Sequence, residues 1–202
     1  MKSIFRLLPL LVLLIGLQSI VAQEYINMSV DTKDIPIREL RRNAITGNIG
    51  WNGITGFGVT YNHFLTKQLE TDFGIGLAST GFKLGGRLSY LFIPKNFSPF
   101  VSGGFMYGLG FGNTEIEDAN NGNFFYTIGP SPFAQICGGI EYMANGGFLL
   151  RANLGYAILL KETNYAITKG VPTSEELRIM DAALGSGIVI EFSIGFAFGN
   201  GK

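Results

Sequence analysis

The stretch Ile188-Val-Ile-Glu-Phe-Ser-Ile-Gly-Phe-Ala-Phe198 divides cleanly by alternate positions. Ile188, Ile190, Phe192, Ile194, Phe196 and Phe198 fall on one set, and Val189, Glu191, Ser193, Gly195 and Ala197 on the other. A repeat of two is the mark of a strand with one large apolar face and one small or polar face. The same alternation recurs upstream, predicting strands at about 43–51, 55–64, 70–79, 82–93, 98–111, 124–144 and 148–161, with the last at 187–198. The sixth is expected to be interrupted around Gly129-Pro130-Ser131-Pro132, because proline cannot donate to a central ladder. The uncharged run Asn96 to Thr114 is the best candidate for a membrane helix after residue 22. It contains Pro99 and glycines at 103, 104, 108, 110 and 112, and it alternates, so it reads as a strand. An even number of antiparallel strands closes on itself without exposed edges. The predicted class is therefore all-β: an eight-stranded antiparallel up-and-down barrel.

Alternation alone does not say which face is outside. A soluble lipocalin-like carrier buries its large apolar face and wets the other. The composition of the second face decides: Thr46, Asn48, Gly50, Gly58, Thr60, Asn62, Gly74, Gly76, Gly85 and Ser89 are small or uncharged. A wet surface is rich in lysine and glutamate, whereas an eight-stranded interior has room only for side chains that fill it. The small face is expected inside and the apolar face toward lipid, making the barrel transmembrane and its lumen too full for a wide pore.

The connections agree with that orientation. Those after the second, fourth and sixth strands are short (Thr66-Lys67-Gln68-Leu69, Pro94-Lys95-Asn96-Phe97 and Asn145-Gly146-Gly147), while those at 112–123 and 162–186 are long. Short periplasmic turns and long outer loops are the usual asymmetry. Aromatic side chains gather near the expected strand ends. Tyr61, Tyr90, Phe92, Tyr142, Phe148, Phe196 and Phe198 lie toward the turns, and Trp51, Tyr107, Phe111, Phe124, Phe125 and Tyr126 toward the loops, forming two candidate girdles.

The segment Asn43-Ala-Ile-Thr-Gly-Asn-Ile-Gly-Trp-Asn-Gly53, followed by Val59-Thr-Tyr-Asn-His-Phe64, resembles the opening hairpin of small outer-membrane β-barrel proteins of Gram-negative bacteria. The resemblance extends over most of residues 40–198 and bears on architecture rather than activity. The last strand resembles the signal read by the barrel-assembly machinery, with Glu191, Ser193, Phe196 and Phe198. Its departures are serine where that signal usually has glycine and the added tail Gly199-Asn200-Gly201-Lys202. The resemblance implies insertion by that machinery and contact with outer-membrane lipids.

Met1 to Ala22 has the form of a signal peptide: Lys2 and Arg6, an apolar run from Leu7 to Leu17, then Gln18-Ser19-Ile20-Val21-Ala22. The expected organisation is signal peptide 1–22, a periplasmic segment 23–42, the barrel 43–198 and a tail 199–202. Net charge is zero and 15% of residues are charged, so no basic surface recruits nucleic acid. Cys137 is the single cysteine, which excludes a disulfide framework and a cysteine zinc cluster.

Few charges fall on inward positions: Asp72, Arg87, Glu141, Arg151 and Glu191. A three-residue turn at Asn145–Gly147 sets Glu141 opposite Arg151, and the preceding hairpin logic brings Asp72 to Arg87 or its diagonal neighbour. Glu191 is expected to join Arg151. Enclosed charges are tolerated when paired, so these residues are read as a lumen ion-pair network rather than an ion path.

Candidate chemistry is thin. A lipid-modifying enzyme needs an activated nucleophile; the single histidine, His63, follows Asn62 and has no evident serine partner. There is no phosphate loop or metal-ligand cluster, and no cofactor is expected. Glu115, Glu117 and Asp118 form an acidic loop tip without the order of a calcium loop. Thr173 with Glu176 forms a capping-box pattern, and Leu177, Met180 and Leu184 follow at helical spacing, predicting a short amphipathic helix over Pro172–Leu184. That helix is expected to pack on its own barrel rim, leaving loops 112–123 and 162–186 as the surfaces for an extracellular partner. Arg38 to Arg42 is expected at the periplasmic boundary, meeting lipid phosphates or solvent. The reading is a monomeric, non-enzymatic barrel with a structural or surface-binding role.

Overall fold

The computed structural model describes residues 36–117 and 124–199. The expected signal peptide 1–22, residues 23–35, Asp118 and Asn200–Lys202 lie outside the described residues. A short helix, α1 (Ile37–Leu40), precedes β1 (Asn43–Trp51), β2 (Phe57–Phe64), β3 (Leu69–Ala78), β4 (Gly81–Leu91) and β5 (Phe97–Gly108). Next come β6 (Ile116–Glu117), β7 (Phe124–Ile128), β8 (Ser131–Met143), β9 (Phe148–Leu159), β10 (Tyr165–Gly170), α2 (Ser174–Leu184) and β11 (Gly187–Phe198).

Eight strands form a closed barrel in the order β1-β11-β9-β8-β5-β4-β3-β2, with antiparallel pairing throughout. The last strand pairs with the first from Asn43↔Phe198 to Trp51↔Ile190, leaving no barrel edge. Alternation sets the faces. The large apolar set points out all around the wall, with Phe57 and Phe105 both 70% exposed and Ile136 69%. Thr46, Asn48, Thr60, Asn62, Asp72, Arg87, Ser89 and Glu191 point in and are buried.

The expected wall and its filling need correction in four places. First, the sixth segment is interrupted at Gly129-Pro130 as expected, but its first half, β7, is not a wall strand and belongs to a separate sheet ordered β10-β7-β6. Pro132 does lie in the wall, opposite Tyr107, where its carbonyl accepts from Leu160 N–H at 2.8 Å. Second, Phe124, Phe125 and Tyr126 belong to that sheet and not to a girdle. Phe124 and Ile128 pack with Met180 and Leu184 of α2, so the long loops form a small module with its own core.

Third, β2 begins at Phe57 because the turn before it folds inward. Asn52 (φ 53°) and Gly56 (φ 71°) hold left-handed backbone, and Gly53-Ile54-Thr55 drop into the barrel mouth. At Gly53 an added Cβ would overlap the Glu191 carboxylate, so any larger residue there would have to displace that side chain. Fourth, the interior is not lined by small residues alone. Phe64, Leu91, Phe100, Met143 and Leu149 fill its termini end, and Ile54, Met106, Phe133, Cys137 and Val189 its loop end. Facing glycines make room: a Cβ at Gly139 would lie 2.6 Å from Phe100 Cζ.

Candidate functional site

Between those two apolar layers lies a layer of charge. Register places its members: Asp72 is opposite Arg87 on β3–β4, and Glu141 opposite Arg151 on β8–β9. Asp72 is the hub. Its Oδ2 accepts from Arg87 Nε at 2.7 Å and from Arg151 Nη1 at 3.0 Å, while Oδ1 accepts from Asn62 Nδ2 at 2.8 Å. Arg151 also reaches Ser89 Oγ at 2.9 Å, Glu70 Oε2 at 3.1 Å and Glu141 Oε2 at 3.8 Å. Its guanidinium rests 4.1 Å from the centre of the Phe100 ring.

Glu191 does not pair with Arg151. Its sheet neighbour on β9 is Asn153, which donates to Oε1 at 2.8 Å, and Arg87 reaches across the lumen to the same oxygen at 2.9 Å. The second oxygen, Oε2, accepts Ile54 N–H of the inward turn at 2.7 Å. Glu191 thus joins the charge layer to the hairpin that closes the loop end. Arg151 is already beside three other carboxylates, so a fourth would gain little.

Three further charges belong to this interior and were missed in the sequence. Glu70 and Lys83 hold inward parity on β3 and β4, so the alternation that found Asp72 and Arg87 was sufficient to find them. Arg38 had no such signal, because it precedes the first strand. It is fully buried and donates to Glu141 Oε1 from Nη2 at 2.9 Å and from Nε at 3.2 Å, and from Nη1 to the Lys95 carbonyl. The expected boundary position of Arg38 is therefore wrong. The Glu141 carboxylate draws it inside, and Ile37 packs on the apolar layer at the same end. Arg41 and Arg42 remain less enclosed.

The expected girdle residues Trp51, Tyr61, Tyr90, Phe92, Tyr107, Tyr142, Phe196 and Phe198 are all exposed on the outer wall. Belt outside, charge inside, no edge between them. The architecture is a closed eight-stranded antiparallel β-barrel with an apolar outer wall.

The barrel is similar to the N-terminal β-barrel domain of Pseudomonas aeruginosa OprF, at 15% identity and TM-score 0.49, over 79% of this chain and 99% of that one. It is also similar to outer membrane protein W of E. coli, at 13% identity and TM-score 0.37, over 79% and 98%. No family model and no curated protein matches the sequence. The closed meander and its apolar exterior, rather than these distant likenesses, carry the architectural conclusion.

The remaining candidates have ordinary partners. His63 Nδ1 lies 2.8 Å from Asn43 Oδ1, which also accepts from Tyr61 OH at 2.6 Å. Glu115 is held by Lys169 at 2.7 Å on the surface, and Glu117 lies in β6. Among the described residues no group of three or more His, Cys, Asp or Glu is placed to hold a metal, and no helix is long and apolar enough to cross a membrane. Helix α2 carries the capping box: Thr173 Oγ1 accepts Glu176 N–H and the Glu176 carboxylate accepts Thr173 N–H. The loop module is tied to the barrel by Ser79 Oγ donating to the Ala183 carbonyl at 2.9 Å and Asn164 Nδ2 donating to Ser131 Oγ at 3.0 Å.

Proposed function

We propose that the protein is a monomeric outer-membrane barrel whose role is structural or surface-binding, without enzymatic activity. The observation that carries this is the continuous belt of large apolar side chains on the outer wall, from Ile45 and Ile49 around to Ile194 and Phe196. A soluble monomer rarely exposes an apolar surface of this extent, whereas lipid covers it at no cost. Paired lumen charges between apolar layers favour a filled scaffold over a wide pore. The module of β6, β7, β10 and α2 gives the loop end a folded surface that suits contact with an extracellular partner.

The test is fractionation of expressing cells, with heated and unheated samples of the protein compared on a denaturing gel. Recovery with the outer membrane and a heat-dependent mobility shift are expected. A chain that stays monodisperse in buffer without detergent overturns the membrane assignment. In planar bilayers the folded protein is expected to give no large, steady conductance.

A further inference from the structure

Four cations are buried among the described residues: Arg38, Lys83, Arg87 and Arg151. Each arginine contacts a carboxylate within 3.2 Å. Lys83 contacts none among the described residues. Its Nζ donates to the Gly53 carbonyl at 2.8 Å and lies 5.4 Å from the centre of the Phe133 ring. An ammonium has three donors, so two are left without a protein acceptor. The Thr80 hydroxyl nearby is buried as well, with no hydrogen-bond partner. Buried polar groups are normally satisfied, and a buried charge most of all.

Both residues line one crevice of about 220 Å³ at the loop end of the wall. It exists because the β1–β2 turn drops into the barrel and leaves a gap beside the Ala78–Gly81 turn. Its outer lip is formed by Ile49, Trp51, Phe57 and Leu77, each at least half exposed on the apolar exterior. One opening thus joins the lipid-facing wall to an ammonium and a hydroxyl inside. Apolar lip and cationic base are complementary to one kind of molecule.

We propose that this crevice binds the acidic head group of an amphiphile, with Lys83 and Thr80 holding the head and the acyl chain lying along the outer wall. The head-group chemistry is a carboxylate or a phosphate, supplied by a free fatty acid or by a membrane lipid. The proposal rests on the outward face being lipid-covered, as in the proposed function.

The experiment is equilibrium binding to the folded full-length protein in a neutral maltoside detergent. Laurate, dodecyl phosphate and dodecanol serve as probes, and native mass spectrometry counts the bound molecules. Saturable binding of one acidic probe per barrel is expected, with dodecanol not bound. Lys83→Met should lower the affinity at least about tenfold, the scale of a lost hydrogen bond to a charged group. Preference for laurate or for dodecyl phosphate assigns the source. Equal binding of dodecanol, or undiminished affinity in Lys83→Met, overturns the proposal. If Lys83→Met does not fold, Thr80→Val decides: a few-fold weaker affinity supports the site, and an unchanged affinity overturns it. A chain soluble without detergent fails the membrane reading separately, and the same titration in buffer still reports on the crevice.

Discussion

Replacing Asp72 with asparagine is the sharpest test of the charge layer. The change is nearly isosteric, so packing is kept while one negative charge is removed. Asp72 Oδ2 accepts from two guanidiniums, Arg87 at 2.7 Å and Arg151 at 3.0 Å, and both bonds are fully buried. Breaking a buried ion pair by removing one partner costs roughly 3–5 kcal/mol. Here the stranded arginines are not alone, because Arg87 keeps Glu191 and Arg151 keeps Glu70 and Glu141. The loss should therefore fall near the lower end, about 3 kcal/mol. Urea titration of the refolded barrel in vesicles, with tryptophan fluorescence of Trp51 and gel mobility as parallel readouts, measures it. Ser102→Ala is the matched control. The Ser102 hydroxyl is buried in the same lumen without a partner, so its removal should be neutral or slightly stabilising. A loss below about 1 kcal/mol for Asp72→Asn, the range of an exposed pair, would refute the view that this layer holds the barrel.

Three further outcomes follow from the same geometry. Arg38→Met strands the inner face of Glu141, so residues 36–42 should become cleavable by added protease while the heat-dependent gel shift of the barrel persists. Thr173→Ala removes the side-chain half of the capping box, and hydrogen exchange in α2 should rise by the equivalent of about 1 kcal/mol with barrel stability unchanged. Burial, then its hydrogen bond to Asp181, pushes the Tyr165 phenol up to about 12 from its ordinary 10.0. The stabilisation is fully present below pH 10 and is lost as pH rises through 12; ultraviolet titration should show Tyr165 ionising late, and Asp181→Ala should move it only part of the way back, because burial, the larger cause, remains.

The barrel was legible because one rule, alternation, governs every wall strand, from Ile188–Phe198 to Asn43–Trp51. The same rule placed Asp72 beside Arg87 and Glu141 beside Arg151, since neighbours across a ladder follow from turn length. It did not reveal that Glu191 reaches Arg87. That contact crosses the lumen between opposite walls, and periodicity is silent about distance across a barrel. The inward turn at Gly53–Thr55 was hidden for a related reason: its residues satisfy Glu191, Lys83 and an apolar layer, none adjacent in sequence. Phe124–Ile128 misled because a continuous alternating pattern does not say which sheet a strand enters. Arg38 lacked any strand to give it a face.

The ion pairs of the lumen have a consequence for the order of assembly. Most pairings join strands adjacent along the chain, but the seam Asn43↔Phe198 closes a loop spanning the whole described barrel. Glu191 arrives on that last strand, and only then does Arg87 gain its second carboxylate and the Ile54 amide its acceptor. Until the seam forms, an open sheet leaves these groups dependent on water, which keeps the nascent interior hydrated. Sealing the seam and drying the interior are thus one event. A chain stalled before residue 187 lacks the acceptor that would lock its first hairpin, and it should remain an open, proteolytically labile curl rather than a smaller barrel.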